Sequence, residues 1–188
     1  MNALPASQDV SPHAPAPRRA DLRFLLAHPA HVIALGFGSG LSPKAPGTVG
    51  TLWAWLAFVV FDRWLTAPQW GWVLGLGFVV GWWACTVAAR HMAIADPGAI
   101  VWDEVVAFWL VLWLVTPAGL PAQLVAFALF RLFDAAKPGP VAWADQLFKQ
   151  RRATPATMSW SAAGFGILFD DLVAAFCTLL VIAFFRAW

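Results

Sequence analysis

Five apolar segments set the terms for any fold of this chain. They run over 49–66, 70–90, 98–116, 121–136 and 164–187. A helix crossing the hydrocarbon core of a bilayer needs about 20 apolar residues, within a range near 17–25. The second, third and fifth segments reach that length; the first and fourth predict tilted helices or helices packed partly inside a bundle. The chain is 61% hydrophobic and 12% charged, whereas a soluble domain averages about half apolar and a quarter charged. The expected fold is therefore all-α: a polytopic membrane helix bundle of four to five helices, built as one domain over 21–188. Residues 1–20, rich in Pro, Ala and Ser with Arg18-Arg19 near their end, predict a disordered tail. An ordinary soluble enzyme and a coiled coil are excluded. Twelve Lys and Arg against ten Asp and Glu leave a net charge of +2 and no broad basic face, which argues against nucleic acid as a partner.

Thirteen Trp and no Tyr point to membrane–water interfaces, where indole rings gather. Cys85 and Cys177 lie in apolar runs and read as small buried hydrophobes. The four histidines, His13, His28, His31 and His91, sit in no nucleophile setting, which disfavours a phosphohistidine route.

Loop charge orients the bundle. With the N-terminus cytoplasmic and all five segments crossing, Arg18, Arg19, Arg23, Lys44, Arg90, Arg131, Lys137, Lys149, Arg151 and Arg152 fall on the cytoplasmic side. Only Arg63 and Arg186 fall on the other. Ten against two is a clear positive-inside bias.

The acids follow the same segregation. A charge at the centre of a membrane helix costs about 2.5–3.5 kcal/mol. Yet Asp103-Glu104, Asp134 and Asp170-Asp171 stand in three apolar segments, towards their cytoplasmic ends, with Asp96 on the same side. Carboxylates gathered from separate helices suit a hard cation such as Mg²⁺ or Mn²⁺. Asp103, Glu104, Asp170 and Asp171 are the candidate catalytic and metal-binding acids, with Asp96 and Asp134 as further candidates. Adjacent helical residues point about 100° apart, so one acid of each adjacent pair is expected to ligate and the other to orient it or pair with a base. Arg131 and Asp134, three apart, form the expected ion pair. Asp96-Pro97 reads first as a helix N-cap.

Residues 36–50 hold five glycines and two prolines and read as a structured loop. Its backbone N–H groups, with Ser39, Ser42, Lys44 and Thr48, could cradle a phosphate. No Gly-Lys-Ser/Thr closes it, so it is not a Walker A loop.

Three blocks together resemble the phosphatidylglycerophosphatase A family. They are Gly36-Phe37-Gly38-Ser39-Gly40-Leu41-Ser42-Pro43 continuing to Pro46-Gly47-Thr48; Asp96-Pro97-Gly98 with Ile100-Val101-Trp102-Asp103-Glu104; and Phe130-Arg131, Phe133-Asp134, Lys137-Pro138, Gly164-Phe165-Gly166-Ile167 and Asp170-Asp171. They occur in family order. The resemblance implies a small helical enzyme of the bacterial cytoplasmic (inner) membrane, with its active site facing the cytoplasm. It implies a Mg²⁺-dependent hydrolysis of phosphatidylglycerophosphate to phosphatidylglycerol. The acids at 96, 103, 104, 134, 170 and 171 fall on motif positions, as do Lys44, Arg131 and Lys137. Two departures stand out: Ala162-Ala163 where His-Gly is usual, and Ala107 where Gly is usual.

On this reading Lys44, Arg131, Lys137, Ser39 and Thr48 hold the substrate phosphate beside the metal-binding acids. The alternative is a small membrane cation or proton transporter lined with acids. A conduction path should place acids at mid-membrane, which the one-sided charge disfavours.

Overall fold

The computed structural model describes residues 18–149 and 159–186. Most of the tail 1–20 and the basic residues Arg151 and Arg152 lie outside them. Among the described residues there is no strand. The stretch 22–35 forms two short helices, α1 (Leu22–Leu26) and α2 (Pro29–Ala34). The Asp21 carboxylate accepts from the Phe24 N–H at 2.7 Å to start α1, and His28 Nδ1 accepts from the Ala30 N–H at 3.1 Å to start α2. A tight 3₁₀ segment follows over Gly36–Leu41.

Helix α3 spans Pro46–Phe61. Residues 46–50, expected as loop, are therefore helical. Pro46 suits the first helical position because its missing N–H would have no partner there. Helix α4 (Ala67–Met92) opens with a reciprocal capping box between Thr66 and Gln69. Helices α5 (Trp102–Val115), α6 (Leu120–Ala136), α7 (Gly139–Lys149) and α8 (Trp160–Arg186) complete the chain.

Two expectations change here. The third apolar segment yields only the 14 residues of α5, about 21 Å of helix, too short to cross alone. Asp96 does not cap it: Val101 is the N-cap, without a side-chain bond. The chain before α5 is instead tied down, since the Val101 N–H donates to Ala34 O at 2.9 Å and Ile100 and Val101 are buried. Packing overrides the capping signal. The polar stretch 137–163 contains α7, whose Val141 and Ala144 are buried where α7 packs against α8.

Helix α5 is the hub, packed against α3, α4, α6 and α8. Most of its side chains are buried. Outside, α4 and α8 carry exposed Trp72, Leu76, Val79, Phe176, Leu180 and Phe185. Helices that are apolar both inward and outward belong in lipid. Two of them, Ala67–Met92 and Trp160–Arg186, are long and apolar enough to cross a membrane. The protein is an all-helical bundle that associates with the membrane. Several indoles do not stay at the interface. Trp70, Trp102 and Trp109 are buried and donate to Asp62, Gly77 O and Ala54 O. Each buried N–H thus finds an acceptor, as burial requires.

The short α5 sets the depth of the site. Its first residue, Trp102, packs against Gly77 and Gly81 of α4. Gly81 lies eleven residues before the end of α4 at Met92, roughly 16 Å along the axis. On α8, Asp170 and Asp171 stand ten and eleven residues after Trp160, a similar depth. A Cβ at Gly164 would strike the backbone of Thr86, so α4 and α8 cross closely just above that level.

Candidate active site

The three acids that meet come from α5 and α8. Asp103, Glu104 and Asp171 each offer a carboxylate oxygen, and these atoms lie within 4.8 Å of one another. Glu104 and Asp171 are buried, at 9% and 3% exposure. The adjacent pair on α5 therefore converges, against the expectation that only one member would. The longer Glu side chain reaches round the helix where the 100° offset separates the backbones. The pair on α8 divides as expected. Asp171 joins the cluster, while Asp170 accepts from Lys137 Nζ at 2.7 Å. Asp134, buried at the end of α6, faces Asp171.

The cations are held close. Arg131 pairs with Asp134 and lies 3.6 Å from Glu104, and its Nη1 donates to Thr51 Oγ1 at 3.3 Å. Lys137 caps α6 in the left-handed region and bridges Asp145 at 2.6 Å and Asp170 at 2.7 Å. Burial alone would lower the Lys137 amine, but the two carboxylates outweigh it and hold the group well above the ordinary lysine range. Lys137 is thus committed to Asp145 and Asp170.

The acid cluster carries more charge than it balances. Asp103, Glu104, Asp134 and Asp171 face one guanidinium, Arg131, so four negative groups against one positive leave −3 if all ionise. Asp103 Oδ1, Glu104 Oε2, Asp171 Oδ2 and Arg131 Nε are buried without a hydrogen-bond partner. Orphaned buried carboxylate oxygens cost too much to be left so. An all-oxygen donor set fits a hard divalent cation, and these residues could hold one.

The loop residues take different places. The Ser39 hydroxyl donates to Gly36 O at 2.8 Å and closes its own turn. Lys44 is exposed, and Thr48 is half-buried in the first turn of α3. That turn borders the cluster, since a Cβ at Gly47 would strike Glu104 Oε1 and crowd Arg131. Asp96 is exposed in the bend before α5 and stands outside the three-acid group. Ala163 is buried against the bundle where the family motif carries a different residue, and Ala107 lies buried on α5. Sequence reading missed Thr51, Gly47 and Asp145. Thr51 gave no signal in sequence; Gly47 lay inside the quoted motif but carried no assigned role.

Fold and site together define a helical membrane protein with a recessed carboxylate centre. The model of the family described as phosphatidylglycerophosphatase A matches residues 32–186. The chain belongs to that family and is a phosphatase. Phosphatidylglycerophosphatase A of Escherichia coli (strain K12) is 33% identical over 174 residues, 93% of this chain and 88% of the relative. The protein of that name from Haemophilus influenzae is 34% identical over 163 residues, 87% and 92% of the two chains. A Bacteroides thetaiotaomicron relative, provisionally named a phosphatidylinositol-3-phosphatase, is 32% identical over 160 residues, 82% of this chain and 92% of its own. No solved structure matches. Membership of an enzyme family removes the transporter alternative.

Proposed function

We propose that this protein is a Mg²⁺-dependent lipid phosphatase that hydrolyses phosphatidylglycerophosphate to phosphatidylglycerol and phosphate in phospholipid biosynthesis. It would act from the cytoplasmic face of the bacterial inner membrane, as a single domain over 21–188. The observation that carries the reading is the convergence of Asp103, Glu104 and Asp171 with buried, unpartnered oxygens. The two relatives named phosphatidylglycerophosphatase A support the substrate, and the basic loop residues support the orientation.

Asp103, Glu104 and Asp171 would hold the cation, with Asp134 orienting Asp171. When bound, Mg²⁺ supplies Lewis acidity to the phosphoryl oxygens and lowers the pKa of a water. The remaining work falls to the chain. Arg131 offers a planar fork to non-bridging phosphate oxygens, and its unpartnered Nε leaves a donor for them. The first turn of α3 adds backbone N–H groups at Gly47 and Thr48, which lack helical acceptors there. These positive groups offset the repulsion between a phosphate dianion and the acids. Lys44, exposed at the rim, would meet the headgroup first. Lys137 and Asp170 fix the acid-bearing stretch of α8 rather than touch substrate.

Phosphate release from phosphatidylglycerophosphate by the purified protein, with Mg²⁺ or with EDTA, tests the proposal. Release that depends on Mg²⁺ supports it. Turnover undiminished in EDTA would overturn the metal, and faster release from phosphatidylinositol-3-phosphate would overturn the substrate.

A further inference from the structure

A second concave site lies at the tip of α4, away from the acids. Its volume is about 700 Å³, and Arg18, Arg19, Arg23, His28, His31 and His91 line it with Asp21. All of these except His91 precede residue 32, where the family match begins. His91 stands ten residues beyond Gly81, about 15 Å along α4 from the level of the acid cluster.

The segment that carries Arg18 and Arg19 is anchored through its backbone. The Arg18 backbone N–H donates to Met92 O at 3.0 Å, which ties the basic segment to the end of α4. Three guanidinium groups against the one carboxylate of Asp21 leave +2 before any imidazole is protonated, and Asp21 already accepts from Phe24. The histidines form a directed chain. Phe24 O can only accept, so His31 Nδ1 donates to it at 2.7 Å. In the neutral ring His31 Nε2 then accepts, and His91 Nδ1 donates to it at 2.8 Å. That leaves His91 Nε2 as an acceptor at the end of the chain, and burial with His28, Arg90 and Arg18 nearby lowers the His91 pKa, so the ring stays neutral. His28 Nδ1 accepts from Ala30 N–H, so its Nε2 carries a hydrogen. Burial, together with His91 and His28, lowers the His31 pKa and keeps it neutral within the chain.

The neighbourhood suits lipid. Leu22 and Leu26, four apart on α1, are 62% and 71% exposed, and the Trp83 ring lies tilted against His28 at 6.1 Å. An apolar helix face beside a cationic pocket matches a headgroup at the bilayer surface with its chains alongside. We infer that this pocket binds the phosphate of a second, anionic lipid headgroup, separate from the acid cluster. Arg18, Arg19 and Arg23 supply the charge, His28 supplies a directed donor, and His91 holds His31 in place. The inference rests on the membrane bundle and stands whether or not the acid cluster hydrolyses lipid.

Retention of phosphatidylglycerol by the full chain is measured by native mass spectrometry after release from nanodiscs containing that lipid and phosphatidylcholine. The combined variant R18Q/R19Q/R23Q should retain at least roughly tenfold less phosphatidylglycerol, and His91→Gln severalfold less. Asp171→Asn in the acid cluster and Arg63→Gln in the turn between α3 and α4 should retain it as the parent does. Melting curves confirm that each variant is folded. Inorganic phosphate, titrated at matched concentration, should fail to displace the lipid. Equal retention by the triple arginine variant, equal loss in Arg63→Gln, or displacement by inorganic phosphate would each overturn the lipid site.

Discussion

Asp170 and Asp171 are neighbours on α8, yet the bundle treats them in opposite ways. Asp170 turns to Lys137, which also holds Asp145, so its charge is met by a base. Asp171 turns to Asp103 and Glu104, where acids outnumber bases and an oxygen of each stays unpartnered. A 100° turn between adjacent residues delivers one acid to each environment. The contrast separates a brace from the proposed binding site. Balanced charge holds helices together, whereas unbalanced buried charge is kept for a ligand.

The comparison breaks most sharply at the binding side. Asp171→Asn or Asp103→Asn should reduce phosphatase turnover by about 10³-fold or more. Thermal stability should hold or rise, because a buried charge with no base is lost. Near-normal turnover at limiting Mg²⁺ in both variants would falsify the site.

Arg131→Lys comes next, with an expected loss of about 10–100-fold in turnover. It keeps the charge beside Asp134 but loses the fork. The exchange Arg131→Asp with Asp134→Arg tests the simpler role of neutralising Asp134. If pairing were the only task, the swapped enzyme would work; we expect a folded, inactive protein.

Gly47→Ala should cost about tenfold in activity, since the added methyl meets Glu104 and Arg131 and displaces them. Unchanged kinetics would show that the first turn of α3 does not border the working site.

On the brace side the effect should appear in stability. Lys137→Met removes the base that Asp170 accepts from and should lower stability by about 1–3 kcal/mol, with turnover reduced only a few-fold. The pH dependence sharpens this. The Lys137 amine is raised in the folded state, so its contribution is whole below the ordinary lysine value, about 10.4. It fades only as pH climbs past the folded value. The melting difference between Lys137→Met and the parent should thus stay constant from about pH 7 to 9. A difference that shrinks across that window would remove Lys137 from the brace.

Much of this was legible in the sequence. The apolar segments located α3, α4, α6 and α8 because burial and lipid both demand long apolar runs. The misplaced acids pointed to the cluster that Asp103, Glu104 and Asp171 form, because charge is too costly in such runs to be incidental. What failed was a helix start. Nothing local in 98–101 shows that Val101 is tied to Ala34, so sequence starts the third helix near 98 whereas α5 begins at Trp102. The convergence of Asp103 with Glu104 depends on side-chain reach, which helical periodicity does not describe. The histidine chain was hidden because His31 and His91 lie 60 positions apart.

The brevity of α5 also bears on how the chain enters the bilayer during synthesis. Its 14 residues carry two acids in the first turn and fall below the 17 or so that a helix needs to insert unaided. Its neighbours, not lipid, give it a place. Among those neighbours α8 is made last, and among the described helices only α4 and α8 are long and apolar enough to cross a membrane. Nascent chains stopped before residue 160 should therefore leave a cysteine at position 103 open to a water-soluble thiol reagent, and full-length chains should shield it. The cluster of Asp103, Glu104 and Asp171 would then assemble only once the helix that carries Asp171 has been made.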